Sequence, residues 1–202
     1  MLAEVYLPDK VRNYIMSNLF DSGLIVGRFQ TFHRGHESLF EIGLRLCDRL
    51  LVFVGSSQES GTERNPFNVA TRMKVIREIY NAPNILLFAL ADLTNENDIS
   101  SDWGKYVVNN VDRHLYKMSE IMFYGDDRRR SSWFDTDDIK DTSEFIVPRS
   151  RINISATELR EMMVFDRRKE WMQWVNPRLH KMYDELRSEL MSVPCYQEMK
   201  QG

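Results

Sequence analysis

Five short apolar runs along the chain predict five buried β-strands. The runs show little of the polar alternation that a half-exposed strand requires, so we expect strands that are covered on both faces. They occupy residues 24–26, 50–54, 85–89, 121–124 and 145–147.

Between these runs the apolar residues recur with the spacing of helices. In chain order, the predicted helix faces are Leu39, Phe40, Gly43, Leu46 and Cys47; Val69, Met73, Ile76 and Tyr80; and Trp103, Val107, Val111 and Leu115. Strands that alternate with helices predict an α/β fold, a Rossmann-like, doubly wound, parallel five-stranded sheet with right-handed crossovers. Such sheets bind ligands beyond the carboxyl ends of their strands, so the loops after the strands are the most informative segments.

After the fifth run the pattern becomes entirely helical. Ser155 and Glu158 have the S-x-x-E spacing of a capping box, and Asn176 before Pro177 is typical of another helix start. A later apolar face consists of Leu179, Met182, Leu186 and Leu190. The sequence therefore predicts a C-terminal segment of two or three helices packed on the sheet.

These patterns divide the chain into three parts. Residues 1–20 form an N-terminal extension, residues 21–165 the Rossmann-like domain, and residues 166–202 the C-terminal helices, which we expect to pack on the same domain. The spacing of Val11, Ile15 and Leu19 predicts a short helix in the extension.

The composition narrows the function classes. The chain of 202 residues has 27 Lys plus Arg against 30 Asp plus Glu, a formal net charge of −3. Because proteins that coat nucleic acid are usually strongly basic, we expect no nucleic-acid partner, and any anionic ligand must be met by a local group of cations. We also expect no membrane span, because no apolar run approaches 18 residues.

The two cysteines indicate a reducing compartment. Cys47 and Cys195 lie far apart and form no C-x-x-C pair, so we predict a cytoplasmic protein. Cys47 falls within the predicted first helix, where we expect it to be a small core residue.

The first predicted strand ends in the sequence GRFQTFHRGH, which extends from Gly27 to His36. The N–H groups at the N-terminus of a helix are unpaired and favour anions, and the imidazoles of His33 and His36 can donate to phosphate oxygens there. Gly35 allows the backbone to approach a ligand closely, and Arg28 adds a permanent cation. A partial zinc site and incidental surface histidines are the alternatives, but no Cys, Asp or Glu cluster lies nearby to complete a zinc site.

This segment resembles the H-x-G-H signature of a nucleotidyltransferase superfamily. More narrowly, it is similar to the archaeal-type nicotinamide-mononucleotide (NMN) adenylyltransferases and their bacterial and viral relatives. Their second motif, I-S-x-T-x-x-R, matches residues 154–160, and the stretches 55–57, 64–67 and 123–127 are also similar. The resemblance spans about residues 24–165. It departs from the family at Thr31, where proline is usual, and we expect a looser loop without loss of a catalytic group.

The resemblance implies transfer of AMP from ATP to NMN, giving NAD and pyrophosphate. As catalytic residues it implies His33 and His36, which would stabilise charge on the transferring phosphoryl group, together with Arg28 and Arg160 on the phosphates. The implied ATP-binding residues are Gly27, Phe29, Gln30, Gly35, Gly125, Asp126, Arg128, Ser155 and Thr157. Mg²⁺ is expected on the substrate phosphates, with no dedicated metal site on the protein.

For NMN the resemblance implies Trp103, Phe32 and Asn65, with the indole of Trp103 stacked on the nicotinamide ring. The alternative is that Trp103 is the first core residue of its helix. Ser155 could likewise be only a helix cap. The arginines at 128–130 could be a solvated loop rather than phosphate ligands, and which of them contacts nucleotide is open.

Two other functions remain open at this stage. One keeps the chemistry but changes the phosphorylated acceptor or the nucleotide donor. The other is a non-catalytic nucleotide-binding module. Similar enzymes often form homo-oligomers, so self-association is a further expectation from the resemblance.

Overall fold

The computed structural model describes residues 18–94, 100–125, 130–148, 150 and 152–201. Within them, five parallel strands form one sheet in the order β3-β2-β1-β4-β5. The strands are β1 Phe20–Gly27, β2 Cys47–Val54, β3 Ile85–Ala89, β4 Ile121–Gly125 and β5 Ser143–Val147. The predicted Rossmann-like α/β fold is confirmed.

Seven α-helices accompany these strands in the described part of the chain. They are α1 Arg34–Leu46, α2 Val69–Ile79, α3 Ser101–Leu115, α4 Ala156–Val164, α5 Arg168–Trp174, α6 Tyr183–Met191 and α7 Pro194–Gln201. The described residues also include the 3₁₀ helices Arg130–Trp133 and Pro177–Met182. None of the helices in these ranges is both long and apolar enough to cross a membrane.

The central strand β1 creates the switch point of the sheet. It pairs with β2 from Phe20↔Cys47 to Gly27↔Val54, and on its other side it pairs with β4 at Gly23↔Ile121. The chain leaves β1 toward β2 and later returns to the opposite side of β1 as β4. A crevice therefore forms beyond the carboxyl ends of β1 and β4, which is where such sheets bind ligands.

The two faces of the sheet are covered unequally. On one face, the strand residues Leu24, Leu51 and Met122 pack against α3, whose side chains Trp103 and Val107 are buried. On the other face, alternate strand residues share one core with α1, α2 and the helices that follow β5. In chain order, the strand residues of that second face include Ile25, Leu50, Val52, Ile121 and Phe123.

Several predicted elements need correction. Cys47 begins β2 rather than ending α1, because β1 extends back to Phe20 and supplies a backbone pairing partner. The residue is nevertheless fully buried, and burial raises the pKa of its thiol to about 12. The strand β5 is not covered on both faces, since Phe145 and Ile146 are 37% and 41% exposed at the edge of the sheet.

The helical predictions also change in detail. The buried side of α2 is formed mainly by Arg72, Val75 and Ile76, whereas Val69 and Met73 are only partly buried. The C-terminal segment has four α-helices in the described residues rather than two or three. Of the helix predicted in the N-terminal extension, Val11 and Ile15 lie outside the described residues.

Candidate active site

A cavity of about 410 Å³ opens beyond β1 and β4, between the N-termini of α1 and α4. Most of the predicted catalytic and ATP-binding residues line it. They are Gly27, Arg28, Phe29, Gln30, His33, Gly35, His36, Gly125, Ser155, Thr157 and Arg160. Two motifs far apart in the sequence thus form the two sides of one pocket.

His33 and His36 form a reciprocal cap at the start of α1. Nδ1 of His33 accepts a hydrogen bond from the backbone N–H of Gly35 at 3.1 Å, and Nδ1 of His36 accepts from the N–H of His33 at 3.4 Å. The two rings are stacked, with their centroids 3.8 Å apart. A Cβ on residue 35 would lie 2.9 Å from Cε1 of His33, so the ring position requires glycine there.

This cap fixes the hydrogen-bonding role of each imidazole. In a neutral imidazole one ring nitrogen accepts and the other carries the hydrogen. Because Nδ1 accepts in both residues, Nε2 is the donor in both. The cap therefore gives the pocket two ring N–H donors, which suit phosphate oxygens.

Ser155 and Glu158 form a second reciprocal cap, at the start of α4. The backbone N–H and the hydroxyl of Ser155 both donate to Oε2 of Glu158 at 2.7 Å, and Oγ of Ser155 accepts from the N–H of Glu158 at 3.2 Å. The hydroxyl bond, followed by the backbone bond, lowers the pKa of the Glu158 carboxyl from its ordinary 4.5. The predicted capping box is confirmed, whereas donation from Ser155 to a triphosphate stays a prediction.

Arg160 brings a buried cation to the pocket. It is only 8% exposed, one terminal nitrogen donates to the carbonyl of Gln30, and the other donates to Oγ1 of Thr157 at 3.1 Å. Its Nε is buried without a hydrogen-bond partner among the described residues. An unsatisfied buried donor is costly, so this atom is suited to an anionic ligand.

The side-chain amide of Gln30 is hydrogen-bonded within the protein. Its Oε1 accepts from the N–H of Phe67 at 3.0 Å, and its Nε2 donates to the carbonyl of Phe67 at 2.9 Å. The side chain therefore ties the loop after β1 to the loop that precedes α2. The neighbouring residue Phe29, with φ of 55°, turns the chain at this point and is buried.

Sequence reasoning missed Arg72, whose guanidinium holds two strand-end loops together. It donates to the carbonyls of Arg28 at 2.9 Å, Gly55 at 2.7 Å and Ser56 at 3.0 Å. Burial lowers the pKa of Arg72 to about 10, so the group remains a cation at neutral pH. The sequence signal that could have predicted its burial is the position of this arginine between Thr71 and Met73, within an apolar helical period.

Arg64 is another cation on the pocket lining to which no role was assigned from sequence. It lies in the loop between β2 and α2, residues 55–68, next to the buried Asn65. With Arg28 and Arg160 it makes the described lining rich in positive groups.

The three predicted NMN-binding residues do not line this pocket. Phe32 is buried among Phe40 and Tyr80, with ring centroids 5.3 and 6.2 Å away. Asn65 is 1% exposed, and its Oδ1 lies 3.5 Å from Nε2 of Gln30. Trp103 is 6% exposed within the core on the α3 side of the sheet.

For Trp103 the structure favours the core alternative, and its stacking on nicotinamide stays a prediction. The predicted ligands Asp126 and Arg128 lie outside the described residues, so the prediction for them also stands as it was made.

The cytidylyltransferase-like family matches residues 24–169 of the chain. Since this match covers more than half of the chain, the protein belongs to that family, and the resemblance inferred from the two motifs is confirmed.

Within this family, the chain is similar to proteins named nicotinamide-nucleotide adenylyltransferase. It is 34% identical over 148 residues to the one from Thermococcus kodakarensis, covering 70% of this chain and 72% of that protein. It is 49% identical over 55 residues to the one from Saccharolobus solfataricus, which covers 27% of this chain and 32% of that protein.

Among solved structures, the fold resembles a bifunctional NMN adenylyltransferase/ADP-ribose pyrophosphatase from Francisella tularensis, in complex with AMP and a manganese ion. The TM-score is 0.64 at 21% identity, over 90% of this chain and 52% of that one. The chain thus spans about half the length of that protein.

Proposed function

We propose that this protein transfers AMP from ATP to NMN, giving NAD and pyrophosphate. The observation that carries the proposal is the pocket in which His33, His36 and Arg160 meet between two helix N-termini. Relatives named nicotinamide-nucleotide adenylyltransferase support the choice of acceptor.

In this reaction an oxygen of the NMN 5′-phosphate attacks the α-phosphorus of ATP. A new P–O bond forms, the bond to the β-phosphate oxygen breaks, and pyrophosphate leaves. Little covalent work falls to the protein, so positioning and charge stabilisation account for most of catalysis. The ring N–H donors of His33 and His36 are suited to the transferring phosphoryl group, and the guanidinium of Arg160 to the leaving pyrophosphate.

The pocket suits a metal ion that arrives with the nucleotide. Its described lining offers imidazoles, hydroxyls and guanidinium groups and includes no carboxylate. Among the described residues, no group of three or more His, Cys, Asp or Glu side chains could hold a metal ion. We propose that Mg²⁺ arrives with the substrate, bound to phosphate oxygens and water, where it would neutralise phosphate charge.

One observation favours a second candidate, in which the acceptor is a different phosphorylated metabolite. Phe32, Asn65 and Trp103, the residues implied for NMN, are buried and are not part of the described pocket lining. The phosphate side of the site is thus better supported than the acceptor side.

The test is turnover by the purified protein with MgATP and NMN, followed as NAD and pyrophosphate. Parallel reactions replace NMN with its deamidated acid form, and ATP with CTP. Formation of NAD with ATP and NMN supports the proposal. Turnover of another acceptor in its place establishes the second candidate, and nucleotide binding without any turnover establishes the non-catalytic module.

The cytoplasm is the compartment that we propose for this reaction. Cys47 and Cys195 are both free thiols, as a reducing environment would keep them.

A further inference from the structure

The last helix, α7, lies beyond residues 24–169, the part of the chain that matches the family. It nevertheless connects to the loop between β2 and α2 through Tyr196. This side chain is 2% exposed, and its hydroxyl donates to the backbone carbonyl of Glu63 at 2.6 Å. Glu63 immediately precedes Arg64, a cation on the pocket lining.

The loop that contains Glu63 also has hydrogen bonds of its own. The N–H of Thr62 donates to the carbonyl of Asn65 at 3.3 Å, and the N–H of Asn65 donates to Oγ1 of Thr62 at 3.0 Å. The Tyr196 hydroxyl thus tethers the tip of a turn that is exposed on its outer side. This bond holds the turn from a residue that lies 133 positions further along the chain.

Burial raises the pKa of the Tyr196 hydroxyl, while the charge of Arg160 acts in the opposite direction. Because the net pKa is raised, the hydroxyl remains protonated at neutral pH. The protonated hydroxyl is the form that can donate to the carbonyl of Glu63.

We propose that Tyr196 is a positioning residue of the pocket, and that α7 completes a site which the family-matched region alone builds only in part. Its hydroxyl fixes the turn that carries Arg64 on the pocket lining. This role rests on the proposed function, because it concerns how the same pocket holds the phosphates of ATP.

The test compares two tyrosine-to-phenylalanine variants in the full chain. Tyr196→Phe keeps the buried ring and removes only the hydroxyl. Tyr183→Phe is the matched control, because Tyr183 is also buried in a C-terminal helix and donates to Oδ1 of Asp166 at 2.9 Å, outside the described pocket lining.

We expect both variants to melt at a lower temperature, since each loses one buried hydrogen bond. Only Tyr196→Phe should raise KM for ATP, by roughly fivefold, with KM for NMN unchanged within about twofold. Hydrogen exchange of residues 61–67 should quicken in Tyr196→Phe and not in Tyr183→Phe. A purely structural tyrosine would lower the melting temperature and leave the ATP and exchange measurements at their wild-type values, which would overturn the proposal.

Direct titration of each variant with ATP separates this proposal from the proposed function. If the wild-type protein binds ATP but does not make NAD, the proposed function is wrong, while weaker ATP binding by Tyr196→Phe still supports the positioning role. Equal ATP affinity in wild type and Tyr196→Phe rejects that role even if NAD is made.

Discussion

The helices α1 and α4 both begin at the pocket with a capping box, but the side chains that form the two boxes differ in chemistry. At α1 the reciprocal cap is formed by His33 and His36, and at α4 by Ser155 and Glu158. Both pairs satisfy the first backbone N–H groups of their helix. The two imidazoles cap the helix through Nδ1 and present Nε2–H donors to the pocket. In the other pair, the donors of Ser155 are already bonded to the carboxylate of Glu158.

The comparison shows two relations between a helix cap and an anion site. At α1 the same side chains can serve both, whereas at α4 the cap and an anion compete for the same donors. A ring with two nitrogens caps with one and has the other as a donor for a ligand. A serine has one hydroxyl and one N–H, and Glu158 accepts from both. A phosphate at Ser155 must therefore replace Glu158 there, while a phosphate at the histidines need not break their cap.

The largest expected effect separates the two functions of His36. His36→Asn keeps an acceptor near the position of Nδ1 but lacks the Nε2 donor. We expect kcat for NAD formation to fall by about 10²-fold, as for loss of a key electrostatic donor. Steady-state kinetics and thermal melting check this prediction together.

His36→Ala is the matched control, because it removes the cap and the donor at once. It should lose a similar amount of kcat and also melt at a lower temperature than His36→Asn. An unchanged kcat in His36→Asn would show that the ring contributes only a helix cap.

Gly35→Ala should have the next largest effect. The added methyl group would approach Cε1 of His33 to 2.9 Å, so the ring must move while its donor nitrogen is retained. We expect kcat/KM to fall by about tenfold, because small displacements of catalytic groups are costly. If the variant folds normally with wild-type kinetics, the position of the His33 ring is not important for the reaction.

Glu158→Gln tests the other cap and should improve binding. The amide oxygen can still accept from the N–H of Ser155, but the negative charge at the phosphate site is gone. We expect KM for ATP to fall by about threefold, in line with one charge near a helix terminus. Glu161→Gln, one turn further along α4, is the control for a change in net charge alone, and an equal fall in both variants would contradict the prediction.

The smallest effect is the pH dependence of stability. The pKa of Glu158 is lowered from 4.5 in the folded protein, so the cap stabilises the fold above that value and loses its effect as the pH falls through the folded pKa. The difference in unfolding free energy between wild type and Glu158→Gln should therefore shrink from pH 7 to pH 3. Urea denaturation at a series of pH values measures it, and a difference independent of pH would exclude the assigned charge effect.

The sequence could predict the parts of the fold that depend on local patterns. The apolar runs located all five strands, and helical spacing located α3 with Trp103, Val107, Val111 and Leu115 all buried. The spacing of Ser155 and Glu158 predicted their cap correctly. His33 and His36 came together because a separation of three residues places both at one helix start.

The remaining features depend on contacts between distant segments. An apolar run does not reveal whether its strand is central or at an edge, so the exposure of Phe145 and Ile146 was missed. The buried position of Trp103 depends on α3 packing against the sheet and on Trp133, which comes thirty residues later. The two bonds between the Gln30 amide and Phe67 could not be predicted either, because the residues are 37 positions apart.

The two faces of the sheet are covered unequally, so we expect them to differ in local stability and in tolerance of substitutions. In the described residues, one face is closed by α3 together with the segment around Trp133, whereas α1 and α4, which frame the phosphate pocket, belong to the thicker layer on the other face. Local opening costs least where few elements hold a surface, so α3 should exchange its amides sooner than β1 or α1. The thin layer can therefore open, or accept substitutions, while the phosphate pocket stays assembled.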